Sequence, residues 1–295
     1  MKRVRNGNCG FTVNFGYFFE ERRIMMRRMA MIILINIVVL GLVDIVQAAM
    51  YKYDDFSNTA ASNSLWTKDV DSNNHGKIYF NDEDGDSVGV GVADIRMNTG
   101  VANKHAWITS TMTIDYSGSG DVRVTYDMKL YQDAWQSWPN GFVLILPNGD
   151  KVEATMWGNC AGGSNAHKAR ILGSFSGNTA YQWTSTALSV NTWYHYDIVG
   201  NENGIVMKIY PFNSAGNDNP DWYVNNSTPR DTLSASVGLS AGSYVMKFYA
   251  ERYSGDDTSS NPRANIYVDN VFTNVPEPGT IGLLSLGIIS LIRRR

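Results

Sequence analysis

Two kinds of residue in this chain have the types and spacing for chemistry: aromatic side chains grouped in polar connections, and acids gathered on turns. The stretch "YQDAWQSWPNG" puts Tyr131, Trp135 and Trp138 between two alternating runs. Its Pro-Asn-Gly turn predicts a surface connection. Indoles there suit stacking on sugar faces, because an amphipathic ring offers apolar area at little entropic cost. The competing role is to cap the end of a core. Trp222 and Tyr223, beside Asp221 in the polar "NSAGNDNPDWYVNNST", have the same two roles open. Trp193 alternates with core-like residues and reads as structural.

The acids point to a cation or to nothing. "NDEDGD", residues 81–86, packs four acids around a glycine, and hard oxygen ligands on a tight turn suit calcium. It is not an EF-hand, since Ala93 stands where the closing glutamate belongs; a solvated acidic turn is the alternative. Catalysis finds fewer footholds. Glu83, Glu153, Glu202 and Glu251 are not paired with an acid on any evident strand, although glycoside hydrolysis needs two carboxylates across the sugar. His75, His105, His167 and His195 are scattered, without a His-Glu-x-x-His run or a Gly-x-Ser-x-Gly elbow. His195 would share a strand face with Trp193 and Asp197, and beside a tyrosine it could abstract a proton in a lyase; a satisfied structural histidine is the plainer role. Cys160, with His167 seven residues on, reads as a loop thiol. The expectation is a protein that is not an enzyme.

The elements that must position these residues are strands. In "DVRVTYDMKLY", Val122, Val124, Tyr126, Met128 and Leu130 share one face and Arg123, Thr125, Asp127 and Lys129 the other, the period-two signature of a half-buried strand. Asn148-Gly149 and Asn203-Gly204 sit between such runs and each predicts a hairpin. Further strands are predicted at 106–114, 168–175, 244–253 and 265–273, with no convincing amphipathic helix and no repeat. Ten or more strands in about 220 residues favour an all-β, two-sheet antiparallel sandwich over a propeller. That span holds ample residues for a core. From residue 49 to 292 there are 15 Lys and Arg against 25 Asp and Glu, a net of −10, which makes nucleic acid a poor partner and leaves a neutral glycan or a cation.

Both termini read as address rather than fold. Arg27 and Arg28 precede "MAMIILINIVVLGLV", and Val46, Gln47, Ala48 and Ala49 follow; this predicts a signal peptide over 1–48 cleaved by signal peptidase after Ala48. An uncleaved anchor is the alternative, though Asp44 interrupts the run. A start at Met25 or Met26 would give a compact signal, so residues 1–24 read as a gene-start error. Only Cys9 and Cys160 are present, so there is no disulfide framework. At the far end, residues 281–292 are apolar and about 18 Å long as a helix, short of a ~30 Å hydrocarbon core. They follow Pro276 and Pro278 and precede Arg293, Arg294 and Arg295, an order that suits a short membrane helix with its cationic end on the cytoplasmic side.

The string Val275, Pro276, Glu277, Pro278, Gly279, Thr280, followed by that apolar run and the three arginines, closely resembles the PEP-CTERM sorting signal of Gram-negative bacteria that make exopolysaccharide. The resemblance implies an exported protein held at the inner membrane by its tail, cut near Pro-Glu-Pro by an exosortase-type enzyme, and passed to the cell surface or extracellular matrix. It covers residues 274–280 as motif and linker and 281–295 as helix and charged end.

Between the termini, residues 49–273 carry a second, looser resemblance. "NTWYHYDIVGNENGIVMKIY" looks like a strand and hairpin of concanavalin A or laminin-G jelly rolls, "ANIYVDNVFT" like the closing strand of jelly-roll carbohydrate-binding domains, and "YDDFS" with Trp66 like their opening. What this implies is a jelly-roll sandwich that binds polysaccharide without catalysis, with a structural calcium under Asp269 and partner ligands at Asp54 or Asp55. The Glu-x-Asp-x-x-Glu string of laminarinase-type jelly rolls is absent. A structural matrix protein without a ligand, and a polysaccharide lyase or hydrolase, are the alternatives.

Overall fold

The computed structural model describes residues 50–71, 76–81, 91–97, 104–132, 139–157, 165–252 and 264–274. The signal segment, the sorting motif and the arginine end lie outside them, as do Trp135, Trp138, Cys160 and residues 82–86 of the acidic turn. Among the described residues no helix is long and apolar enough to cross a membrane.

The alternating runs form two antiparallel sheets. One has eight strands: β1 (Tyr51–Asp54), β3 (Gly76–Phe80), β4 (Ala93–Met97), β6 (Val122–Gln132), β11 (Tyr194–Asn201), β12 (Gly204–Pro211), β13 (Asp231–Ala235) and β15 (Ala264–Thr273). The other has seven: β2 (Trp66–Val70), β5 (Lys104–Tyr116), β7 (Asn140–Ile145), β8 (Lys151–Met156), β9 (Ala169–Phe175), β10 (Asn178–Trp183) and β14 (Gly242–Arg252). Their orders are β13-β12-β11-β6-β15-β4-β3, with β1 also on β15, and β10-β9-β8-β7-β14-β5-β2. The chain crosses between sheets at β1 to β2, β2 to β3, β4 to β5, β5 to β6, β6 to β7, β10 to β11, β13 to β14 and β14 to β15, so these sequence neighbours lie in opposite layers. This is the expected jelly-roll sandwich.

Alternation decides what goes inside. Val122, Val124, Tyr126, Met128 and Leu130 are all buried in the core, as are Tyr196 and Ile198 of β11 and Met246 and Phe248 of β14. At its centre the Tyr126 ring stacks on Tyr196 at 5.1 Å and meets Phe248 edge-on at 5.0 Å. Such pairs add about 0.5–1.5 kcal/mol beyond their buried area. Among the described residues the core cluster runs from Tyr53 to Val271.

Both hairpins form. Gly149 takes φ +92°, the left-handed turn conformation glycine tolerates, and donates to the Leu146 carbonyl at 2.9 Å. In the second, Asn201 pairs with Gly204, so the turn is Glu202-Asn203 rather than Asn203-Gly204. The shift follows from the Asn201 side chain, whose Oδ1 accepts from Asn203 N–H at 2.9 Å and closes the turn one residue early. Two short helices also appear where the sequence shows no amphipathic pattern: α1 (Thr59–Leu65) and α2 (Asp221–Asn226). α1 is started by Asn58, whose side chain accepts from Ala61 N–H.

Candidate functional site

Each sheet has an outward face, and the polar residues of the strands collect there. On the eight-stranded sheet, Arg123 and Asp127 of β6, His195 and Asp197 of β11 and Tyr210 of β12 face out. His195 Nδ1–H donates to Asp127 Oδ1 at 2.8 Å, since a carboxylate can only accept. The other Asp127 oxygen accepts from Asn270 Nδ2 at 2.9 Å. Asn270 has φ +48° at the bulge where β15 leaves β4 for β1, and its backbone N–H also donates to Asp269 Oδ1 at 2.7 Å. Arg123 holds Asp197 with two hydrogen bonds, at 2.8 and 3.1 Å, and reaches Asp221.

The chain covers this cluster itself. A single 3₁₀ turn, Ser214–Gly216, and α2 lie across the face, and Tyr223 of α2 stacks flat on His195 at 3.8 Å and 6°. Its hydroxyl is tied at both ends of one residue, donating to the Asn213 carbonyl and accepting from Asn213 N–H. Gly216 makes room, because a Cβ there would stand 2.1 Å from the Tyr223 ring. A histidine, a tyrosine and an acid therefore do meet, but His195 is 2% exposed and Tyr223 is fully buried. Of the two positions left open for Tyr223, the structure gives it the buried one, on α2 with its ring against the His195 imidazole. Trp222 is half-buried with its ring edge-on to Tyr223 at 5.3 Å.

The acids named for calcium are engaged with protein donors. Asp54 is buried and accepts from Phe56 N–H and from the Trp66 indole, both at 2.9 Å. Asp55 accepts from Ser57, and the Lys52 ammonium stands between it, at 3.4 Å, and Asp218, at 2.6 Å. Burial pushes the Asp269 carboxyl up to about 7, against the pull of the Asn270 N–H, and the nearby Asp127 and Asp55 charges add to the rise. Among the described residues no group of three or more His, Cys, Asp and Glu side chains is arranged for a metal. The Lys52 ammonium is thus the cation that faces Asp55 and Asp218.

The seven-stranded sheet is different. Its register aligns one outward row across every strand: Asp69, Trp107, Tyr249, Gly141, Thr155, Arg170 and Trp183. Beside it a second row ends in Glu153, Leu172 and Tyr181. Trp183 meets Trp157 edge-on at 5.0 Å, and the Arg170 guanidinium lies 5.4 Å from each indole. Glu153 holds Lys151 with one oxygen, at 2.5 Å, and Arg170 with the other, at 2.7 Å. Tyr181 is 62% exposed. At the far end Trp107 donates to Asp69 at 2.7 Å, with His105 stacked on it and the Lys247 ammonium over its ring, both at 3.6 Å.

Glu153 and Glu251, unpaired in the sequence, come near each other here: burial raises the Glu251 carboxyl first, and the Glu153 charge raises it further. The buried Tyr249 phenol is held well above its usual range by burial and then by those same two acids. Of this group the sequence reading named Glu153, Glu251 and His105, and gave none of them a partner. The signal that would have found the rest is the outward alternation of Arg170 in "KARILGSF" and of Tyr181 and Trp183 in "NTAYQW". Tyr131 lies in β6, with nothing described of its side chain.

A jelly-roll sandwich with one outer face closed by its own chain and one carrying a row of aromatic and charged side chains is the class that fold and site define. The chain's tail identifies its handling. Residues 274–295 match the PEP-CTERM protein-sorting motif, which marks an exported protein processed by an exosortase. No curated protein matches the chain. Solved structures similar in outline include a glycosyl hydrolase family protein from Mycobacterium fortuitum, at 16% identity and TM-score 0.47, covering 77% of this chain and 98% of that one. Carbohydrate binding module CBM66 from Bacillus subtilis is similar at 10% identity and TM-score 0.39, over 70% and 92% of the two chains. So is alginate lyase AlgAT5 from polysaccharide lyase family 7, at 13% and 0.42, over 66% and 81%.

Proposed function

We propose that this exported protein binds polysaccharide on the outer face of its seven-stranded sheet, and that its sorting tail anchors it at the inner membrane before delivery to the cell surface or exopolysaccharide matrix. One observation carries the reading: Trp157, Trp183, Tyr181, Arg170 and Glu153 share a face, with rings for sugar faces and charged groups for hydroxyls. The aligned register makes that face a long track rather than a spot, which suits a polymer. The net charge of −10 over residues 49–292 favours a neutral glycan over an acidic one.

A second reading, a polysaccharide hydrolase or lyase, draws on Glu251, its carboxyl raised by burial and then by the Glu153 charge, beside the buried Tyr249. A calcium requirement stays a proposal that the engaged Asp54 and Asp55 do not favour. The test is retention of residues 49–274 on a panel of bacterial and plant polysaccharides, with and without chelator, beside an assay for released reducing ends. Retention without release supports the binding reading. Release that Glu251→Gln abolishes replaces it with the enzyme. No retention leaves a structural matrix protein.

A further inference from the structure

β10 is the last strand of its sheet, and among the described residues nothing pairs with its outer edge. The ladder fixes which groups it leaves there. Thr184 N–H donates to the Ala169 carbonyl opposite it, and Ser176-Gly177, at φ +50° and +82°, closes a tight hairpin on Phe175 and Asn178. Hydrogen-bonded pairs alternate along an antiparallel ladder. Asn178, Ala180 and Gln182 therefore bond β9, while Thr179, Tyr181 and Trp183 aim their N–H and C=O groups away from it.

Folded chains guard such an edge with charge, proline or a bulge. β2 carries Lys68 and Asp69, and β3 carries Lys77. β13 begins at Asp231 and has its Ser234 N–H taken by Gln182 Oε1 at 2.6 Å. β10 reads Asn-Thr-Ala-Tyr-Gln-Trp, without charge or proline, and its register with β9 is unbroken. Solvent reaches each of its residues, and Tyr181, 62% exposed, is the most exposed large apolar side chain among the described residues.

We infer that the outer edge of β10 pairs with the same edge of a second copy of this chain, antiparallel about a two-fold axis through Tyr181. Tyr181 then faces its own counterpart and Thr179 faces Trp183, each pair exchanging hydrogen bonds in both directions. A strand without charge meets itself without like-charge repulsion. The outward row Glu153, Leu172, Tyr181 runs on into Tyr181, Leu172, Glu153 of the second copy. Side chains stand roughly perpendicular to a sheet, so the rings stay open above the seam. Resting on the glycan reading above, the second copy completes the site by doubling the aromatic platform at Tyr181 and Trp183. A six-residue seam is small beside the interfaces of stable dimers, so a polymer that touches both copies strengthens the pair.

The experiment uses the full chain in cells that export it, with Cys9→Ser and Cys160→Ser removing its own thiols. Tyr181→Cys puts two thiols across the axis at the Cα spacing of a hydrogen-bonded pair, about 5.5 Å, within disulfide range. The disulfide traps even a weak pair, and most of the exported chain should run as a dimer on a non-reducing gel. Thr67→Cys, exposed on β2 at the opposite edge of the sheet, should stay monomeric. Thr179→Pro, added to Tyr181→Cys, deletes an N–H that β9 does not use and should abolish the dimer while the sandwich keeps its protease resistance. Alone, Thr179→Pro keeps every ring and should weaken retention on the polysaccharide panel about tenfold or more through lost bivalency. A monomeric Tyr181→Cys, or a dimer that Thr67→Cys forms equally, overturns the pairing. A dimer beside undiminished retention of Thr179→Pro overturns the shared platform. A dimer that binds no glycan overturns the glycan reading and leaves the pairing standing.

Discussion

The two outer faces are built alike and have opposite fates. Each is the polar side of a half-buried sheet, and each gathers an arginine, acids, a histidine and aromatic rings. On the eight-stranded sheet the histidine and the arginine are matched by the chain's own Tyr223 and Asp221; on the seven-stranded sheet Tyr181 stays exposed and Arg170 keeps an unbonded N–H. A polar cluster of a given composition is therefore no guide to a working site. What distinguishes the faces is what the chain covers: His195 is 2% exposed under Tyr223 while Tyr181 is 62% exposed, although each face keeps an unbonded buried nitrogen, His195 Nε2 on one and Arg170 Nε on the other.

The comparison breaks most visibly if the closed face turns out to be expendable. His195→Ala leaves Asp127 buried with Asn270 as its remaining hydrogen-bond partner among the described residues and removes the ring under Tyr223, so it should cost about 3 kcal/mol in urea unfolding. Glycan retention by the folded fraction should be unchanged. On the open face the order reverses. A Tyr181→Ala, Trp183→Ala double variant should weaken polysaccharide binding by about 10- to 100-fold and shift the urea midpoint little, because Tyr181 is 62% exposed.

Acidity sharpens the contrast. The Asp269 carboxyl titrates near 7 in the folded protein, against 3.8 for a free aspartate, so between those values the native state holds a proton that the unfolded chain has lost. The stability it contributes is full below about pH 4 and disappears as pH rises through 7. Asp269→Asn, neutral throughout, should raise stability at pH 8 by about 1–2 kcal/mol, discounted for partial exposure, and leave it unchanged at pH 4, as urea titrations at the two values would show. The smallest effect belongs to the ion pair that ties β1 to the covering segment. Asp218 is 88% exposed, and Asp218→Asn should cost under ~1 kcal/mol.

Much of the fold was legible because alternation leaves a local trace. Val122 to Leu130 announce which side of β6 is inside, and the long strands β5, β9, β14 and β15 lie where period two places them. The covering segment left no such trace: α2 has six residues, too short for a helical stripe, and is held by His195 and Arg123, 28 and 98 residues away. The open face was hidden for a related reason. Its members come from seven strands that the sequence lists in a different order, and only register puts Arg170 beside Thr155 and Trp183.

By itself, the sequence determined the address and the architecture: a sorting tail over residues 274–295 and a chain of alternating runs that must pair into sheets. These follow from contiguous residues, where spacing is enough. Only the tertiary structure decided which polar face the chain covers with its own Tyr223, and that Lys52 stands between Asp55 and Asp218. Those outcomes depend on groups far apart in the chain meeting at hydrogen-bonding distance, which no local pattern encodes.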